Sequence, residues 1–181
     1  MSDPSKRPAY HSRVFDVFEE DVALPNGHRS RMSRVDHRPT IAVVPVDGQG
    51  NVVLIRQYRH ATGGMLLEIP AGTIDRSGES AEACAQRELA EEAGFRAGTL
   101  VPLFEGYLVP GYGNEYMYFF LARDLVGAKL PADEDEYIEV VFTPFAEARR
   151  MIWEREIRDV KTALGIQMAQ EYLERERRGA R

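Results

Sequence analysis

The first patterned stretch runs from Val14 to Leu24, where Val14, Asp16, Phe18, Glu20 and Val22 mix apolar and acidic side chains at strand spacing. The turn-forming Pro25-Asn26-Gly27 follows, and a second, more polar strand is expected from His28 to Asp36. The pair reads as a β-hairpin with too few apolar residues to stand alone, because an isolated hairpin is marginal in water. At Arg38-Pro39 the pattern changes. Residues 1–38 are therefore expected to form an N-terminal antiparallel β appendage, and residues 39–181 the main domain.

From Thr40 the apolar positions become denser. The β-branched runs Thr40 to Val46 and Val52 to Tyr58 flank the turn Asp47-Gly48-Gln49-Gly50 and predict a core hairpin. Beyond Leu66–Ile69 and a Gly-containing loop comes the best helix signal, with Ser80 as N-cap, Glu82 in the first turn and Gly94 as the stop. Further strands are expected around Leu100–Phe104, Tyr116–Ala122 and Val140–Thr143. Two closing helices are expected near Phe145–Arg155 and Asp159–Glu176. The second shows Val160, Ala163, Leu164, Met168, Tyr172 and Leu173 on one face. Strands interspersed with helices imply layered α/β architecture.

Composition narrows the function. The chain has 181 residues, 44% hydrophobic and 29% charged, which suits one soluble domain with a small appendage. A net charge of −6 gives no bulk attraction to nucleic acid or membrane, so an anionic substrate needs positive charge from elsewhere. The first residues, from Met1 to Arg13, are polar and contain Pro4 and Pro8, which suits neither a signal peptide nor a membrane span. With Cys84 as the single cysteine, the expected location is cytoplasmic.

The chemistry concentrates between Ala71 and Phe95. On a helix, Glu88, Glu91 and Glu92 are spaced three and four apart, so their carboxylates can project to one side. A like-charged pair about 6 Å apart repels by roughly 3 kcal/mol at an effective dielectric near 20. Two readings of spacing alone stay open: a solvated acidic face, or a cluster neutralised by a cation. If a cation, an all-oxygen donor set without His or Cys selects Mg²⁺, Mn²⁺ or Ca²⁺ over Zn²⁺. Arg87, four before Glu91 and eight after Glu79, can brace these carboxylates.

The order Glu79-x7-Arg87-Glu88-Leu89-Ala90-Glu91-Glu92-Ala93-Gly94-Phe95 resembles the Nudix box, Gly-x5-Glu-x7-Arg-Glu-U-x-Glu-Glu-x-Gly-U, with U bulky and apolar. One departure is that six residues, not five, separate Gly72 from Glu79. Arg56 to Arg59, Leu67 to Gly72, Pro110 to Glu115, and Ile157, Asp159, Lys161 and Thr162 further resemble the ADP-ribose pyrophosphatase branch, including Pro110 fifteen residues after Phe95. The resemblance implies an α/β/α sandwich with a mixed sheet, and a homodimer that exchanges or packs the N-terminal strands. It also implies Mg²⁺-dependent hydrolysis of ADP-ribose to AMP and ribose 5-phosphate, with Mn²⁺ able to substitute.

Carried over by position, the resemblance assigns the Ala71 carbonyl, Glu88 and Glu92 to metal, and Glu91 to a second ion and to catalysis beside Arg87. Arg59, Arg56 and Glu68 are assigned to substrate. Glu115 is the candidate for positioning or deprotonating the attacking water, in a loop that Pro110, Gly111 and Gly113 would let fold over the substrate. Glu136 is a further candidate near the substrate. Alternatives are hydrolysis of another nucleotide sugar, such as GDP-mannose, and a non-catalytic ADP-ribose-sensing module. His11, His28, His37 and His60 show no ligand spacing, and Cys84 reads as a packed residue. Arg29, Arg31, Arg34 and Arg38 read as a solvated strand face that could reach a phosphate across a dimer.

Overall fold

The computed structural model describes residues 6–131 and 137–179; Glu136 lies outside the described residues. The N-terminal segment forms an antiparallel sheet of three strands, β1 (Lys6–His11), β2 (Phe15–Ala23) and β3 (Arg29–His37), in the order β1-β2-β3. The β2–β3 hairpin matches the sequence expectation. The sequence does not announce β1, because Pro8 and charged neighbours depress strand propensity. It is an edge strand whose register shifts between Pro8 and Tyr10, where an edge tolerates both the proline and the bulge.

The main sheet runs β7-β4-β9-β8, using β4 (Thr40–Pro45), β7 (Ala71–Thr73), β8 (Phe95–Tyr107) and β9 (Tyr116–Gly127). It is mixed: β4 runs parallel to β9 and antiparallel to β7. A second sheet, β10-β5-β6, comprises β5 (Asn51–Arg59), β6 (Gly64–Glu68) and β10 (Ile138–Pro144). The expected core hairpin is corrected here. Its turn forms, with the Asp47 side chain accepting from the backbone N–H groups of Gln49 and Asn51, but β4 and β5 then diverge into different sheets and share only a Val46–Val52 bridge. Both edges of each strand are already taken, β4 by β7 and β9, β5 by β6 and β10.

Strand β4 is buried along its length because it is covered on both faces. Ile41 and Val43 pack with Phe120 against Cys84, Ala85 and Leu89 of the helix that follows β7. Ala42 and Val44 pack with Phe119, Leu121 and Ile69 against Ile166 and Ala169 of the C-terminal helix. The result is an α/β/α sandwich, with α1 (Ala81–Glu88) on one side and α2 (Phe145–Trp153) and α3 (Val160–Gly179) on the other. Among the described residues no helix is long and apolar enough to cross a membrane.

The inward face of α3 differs from the expected one. Thr162, Gly165, Ile166 and Ala169 are fully buried, Leu164, Tyr172 and Leu173 pack at the margin, and Val160 is 77% exposed. Small and polar residues hid this stripe from an apolar count. Gly165 lets the helix close on β4, and Thr162 is satisfied by accepting the Ile69 N–H at 2.8 Å and donating to Asp159 at 2.5 Å. A Cβ at position 165 would lie 2.8 Å from Ile69 Cδ1 and 3.0 Å from Val44 Cγ2. Gly165→Val is therefore expected to lower stability by about 1–3 kcal/mol through overpacking. Urea denaturation checks this; an unchanged midpoint would contradict close packing here.

Candidate active site

Strand β7 and the segment after it build the site. Ala71, Gly72 and Thr73 pair with Ala42, Ile41 and Thr40 of β4, so the buried strand fixes their backbone. Ser80 then caps α1 by accepting the Ala83 N–H at 3.2 Å. After Glu88 the helix widens into one π-turn, Leu89–Ala93, and Gly94 ends it at φ 78°. Such π-turns are rare and often sit at functional sites.

This geometry divides the three carboxylates. Glu88 and Glu91 face a cavity of about 460 Å³. Glu92 instead turns inward, only 6% exposed, and accepts the Ala71 N–H at 2.9 Å. Glu88 and Glu92 nevertheless both reach β7, Glu88 at Gly72 and Glu92 at the adjacent Ala71.

Arg87 holds the cluster. It forks onto Glu79 at 2.9 and 3.0 Å, and a third nitrogen meets Glu88 at 2.5 Å and Glu91 at 3.0 Å. It also donates to the Thr73 carbonyl at 3.2 Å. The extra residue between Gly72 and Glu79 is absorbed in a turn where Gly78 takes φ 76°, so Glu79 still reaches the guanidinium. The Arg87 hydrogen bonds hold the Glu79 carboxyl below its ordinary range. Cys84 lies beneath, fully buried, and burial pushes its thiol up to about 12, which leaves it without thiolate character at neutral pH.

Arg13, Arg38, Arg59 and Arg76 join Arg87 in lining the cavity, so cationic groups outnumber its acids, Asp75, Glu88 and Glu91. Here is the positive charge that the overall acidity lacked. Arg13 and Arg38 come from the N-terminal segment of the same chain; the turn-prone sequence around Arg13 held no signal for this. Arg56 is not at the cavity. It lies three residues from Arg59 on an alternating strand, hence on the opposite face, in a depression with Met65 and Met151.

Glu68 does not line the cavity either. It is 1% exposed and receives both Nε and Nη2 of Arg59 at 2.8 Å, as well as Lys161. Burial alone would raise its carboxyl, but Arg59 and Lys161 hold it below the ordinary value. Nor does Glu115 line the cavity: its carboxylate accepts from Thr40 Oγ1 at 3.1 Å, and Thr40 pairs with the cavity residue Thr73. Its loop is tied down by β3 instead of being free to fold over.

Do these residues suit a divalent cation? The donors are hard oxygens, and Gly72 leaves a cradle that the Glu88 carboxylate fills: an added Cβ would lie 2.0 Å from Glu88 Cδ and Oε1. Among the described residues no three acidic, His or Cys side chains already close on a common point, because Arg87 is the cation Glu88 and Glu91 share. The donor set fits a hard cation at Glu88 and the adjoining β7 backbone.

Residues 36–163 match the NUDIX domain family. The chain belongs to the Nudix family. It is 36% identical to the ADP-ribose pyrophosphatase of Bacillus subtilis over 92% of this chain and 90% of that one. It is 32% identical to a methanol dehydrogenase activator of Bacillus methanolicus, over 89% and 88%. Identity to a GDP-mannose pyrophosphatase of Yersinia pestis is 43%, over 67% of this chain and 65% of that one. A crystal structure of an ADP compounds hydrolase superposes with a TM-score of 0.83 at 28% identity, covering 97% and 98% of the two chains.

Removing Arg87 from this Nudix helix leaves Glu79, Glu88 and Glu91 facing one another. With Arg87 only 11% exposed, Arg87→Ala is expected to cost roughly 3–5 kcal/mol at pH 7. Because Glu79 is depressed below its ordinary 4.5, its share of stability is present above that pH and is lost as pH falls through the lower folded-state value. The cost should therefore shrink toward pH 3. Urea titrations in EDTA at both pH values check this, and a cost below about 1 kcal/mol at pH 7 would contradict it.

Proposed function

We propose that this Nudix protein is an ADP-ribose diphosphatase, in which water attacks phosphorus to give AMP and ribose 5-phosphate. The observation that carries the reading is one cavity of about 460 Å³ lined both by Glu88 and Glu91 of the Nudix helix and by Arg38, Arg59 and Arg76. That volume lies within the roughly 300–1,000 Å³ of small-molecule sites. Relatives that act on nucleoside diphosphate sugars support the substrate class.

In this reading the Ala71 carbonyl, Glu88 and Glu92 hold Mg²⁺, for which Mn²⁺ can substitute, and Glu91 serves a second ion. Bound there, the metal would neutralise the diphosphate and stabilise the leaving phosphate. Arg87 keeps the carboxylates in place. Arg59, itself oriented by Glu68, meets the diphosphate, and Arg38 and Arg76 add charge at the mouth. Glu115, in a loop one strand from the cavity floor, positions the attacking water and takes its proton. A homodimer in the cytoplasm completes the proposal, because an N-terminal sheet so poor in apolar residues calls for a packing partner.

Hydrolysis of GDP-mannose is the second reading, favoured by the similarity to a GDP-mannose pyrophosphatase. A sensing module is disfavoured by the presence of Glu88, Glu91 and Glu92. A panel of nucleoside diphosphate sugars with Mg²⁺, read as released phosphomonoester, tests all three. ADP-ribose should be the preferred substrate and EDTA should abolish turnover. Preference for GDP-mannose, or no turnover of any member, would overturn the reading. Glu115→Gln should lower kcat by about 10²–10⁴-fold with a much smaller change in KM. A fall below about fivefold would move the base elsewhere.

A further inference from the structure

The N-terminal sheet is joined to the Nudix domain of its own chain at a specific place. The Val35 N–H donates to the Tyr112 carbonyl at 2.8 Å, and the Asn114 N–H donates to the Val35 carbonyl at 3.2 Å. Residues 112–114 thus add a short parallel segment to the free edge of β3, bridging Gly113 to Val35. The Asn114 side chain completes the joint. Its Nδ2 donates to Asp36 Oδ1 at 2.6 Å, and its Oδ1 accepts the His37 N–H at 2.8 Å. His37 directly precedes Arg38, which lines the cavity, and β2 connects the same sheet to Arg13, which lines it too.

A sheet bearing arginines at a cavity mouth is useful only if its orientation is fixed. The amide of Asn114 has the required donor and acceptor, and it uses both on consecutive residues of β3. We propose that Asn114 is a positioning residue that, through Asp36 and His37, holds Arg13 and Arg38 over the cavity of the same chain to grip the diphosphate of a nucleotide. This rests on the diphosphate-hydrolase reading and adds to it that the N-terminal sheet completes the anion site in cis.

The test exchanges donor and acceptor. Asn114→Asp keeps an acceptor for the His37 N–H but sets a carboxylate against Asp36, whereas Asp36→Asn combined with Asn114→Asp restores a donor–acceptor pair at the same net charge. Two readouts are used, neither requiring turnover: amide hydrogen exchange at Val35 and Asn114, and the Kd for ADP by calorimetry with Mg²⁺. The single variant should speed exchange at both amides and raise the Kd by about tenfold each, and the double variant should return both to within about threefold of wild type. Unchanged exchange, faster exchange with an unchanged Kd, or failure of the double variant to restore both would overturn the proposal. A wild-type protein that binds ADP yet hydrolyses no nucleoside diphosphate sugar would instead strike the functional reading and leave this test intact.

Discussion

One guanidinium governs the active-site side of this molecule. Glu79, Glu88 and Glu91 stand close enough that their mutual repulsion would be worth several kcal/mol in a poorly solvated cleft, and Arg87 reaches all three. Arginine suits this role better than lysine because its planar fork grips Glu79 with two parallel bonds while a third nitrogen remains for Glu88 and Glu91. It also donates to the Thr73 carbonyl, so the carboxylate cluster is locked to β7 as well as to itself. The metal-binding proposal depends on this arrangement. A cation arriving at Glu88 meets a preformed carboxylate whose position is set by Arg87 on one side and by the bare backbone of Gly72 on the other.

The scaffold makes that precision possible by burying β4 on both faces. Its alternate side chains feed two cores, one under α1 and one under α3, so the backbone that carries Ala71 to Thr73 has little freedom to shift. Close approach on the α3 side depends on Gly165, and on the α1 side on the small residues Cys84 and Ala85 of the helix's own inward face. A partly buried polar cluster at the start of α3 ties the second sheet to the same frame. Lys161 and Arg59 converge on Glu68, while Asp159 binds Lys161 and accepts both the N–H and hydroxyl of Thr162. These charges are nearly balanced, which is the condition for burying them without a large desolvation cost.

Much of this was legible in the amino-acid order. Periodicity located most of the long strands and the helices, and Ser80 and Gly94 bounded the Nudix helix, because caps and stops act locally. What periodicity could not show was pairing. β4 and β5 look like hairpin partners because a good turn joins them, and only the competition for their edges sends them into separate sheets. The inward stripe of α3 was misread for a related reason: Thr162, Gly165 and Ala169 are buried for their size and hydrogen bonding, not their hydropathy. At the site, spacing alone left Glu88, Glu91 and Arg87 open between a solvated face and a cation-bound cluster, and it was the order of the Nudix box that singled them out. Arg56 lies on the face opposite Arg59 because strand side chains alternate, which their three-residue offset already contained, and Glu92 is buried against Ala71 instead of lining the cavity. Arg38, one of the arginines expected to reach a phosphate across a dimer, lines the cavity of its own chain, and Arg13 joins it through tertiary packing that its local sequence does not mark.

Glu88, set between Arg87 and Gly72, is the proposed ligand for a hard divalent cation. Mn²⁺ titration followed by electron paramagnetic resonance, with Mg²⁺ as competitor, measures this without reference to turnover. The wild type should bind Mn²⁺ saturably, Mg²⁺ should displace it, and Glu88→Gln should weaken binding by about tenfold or more. Equal Mn²⁺ affinity in the wild type and the variant would contradict that assignment.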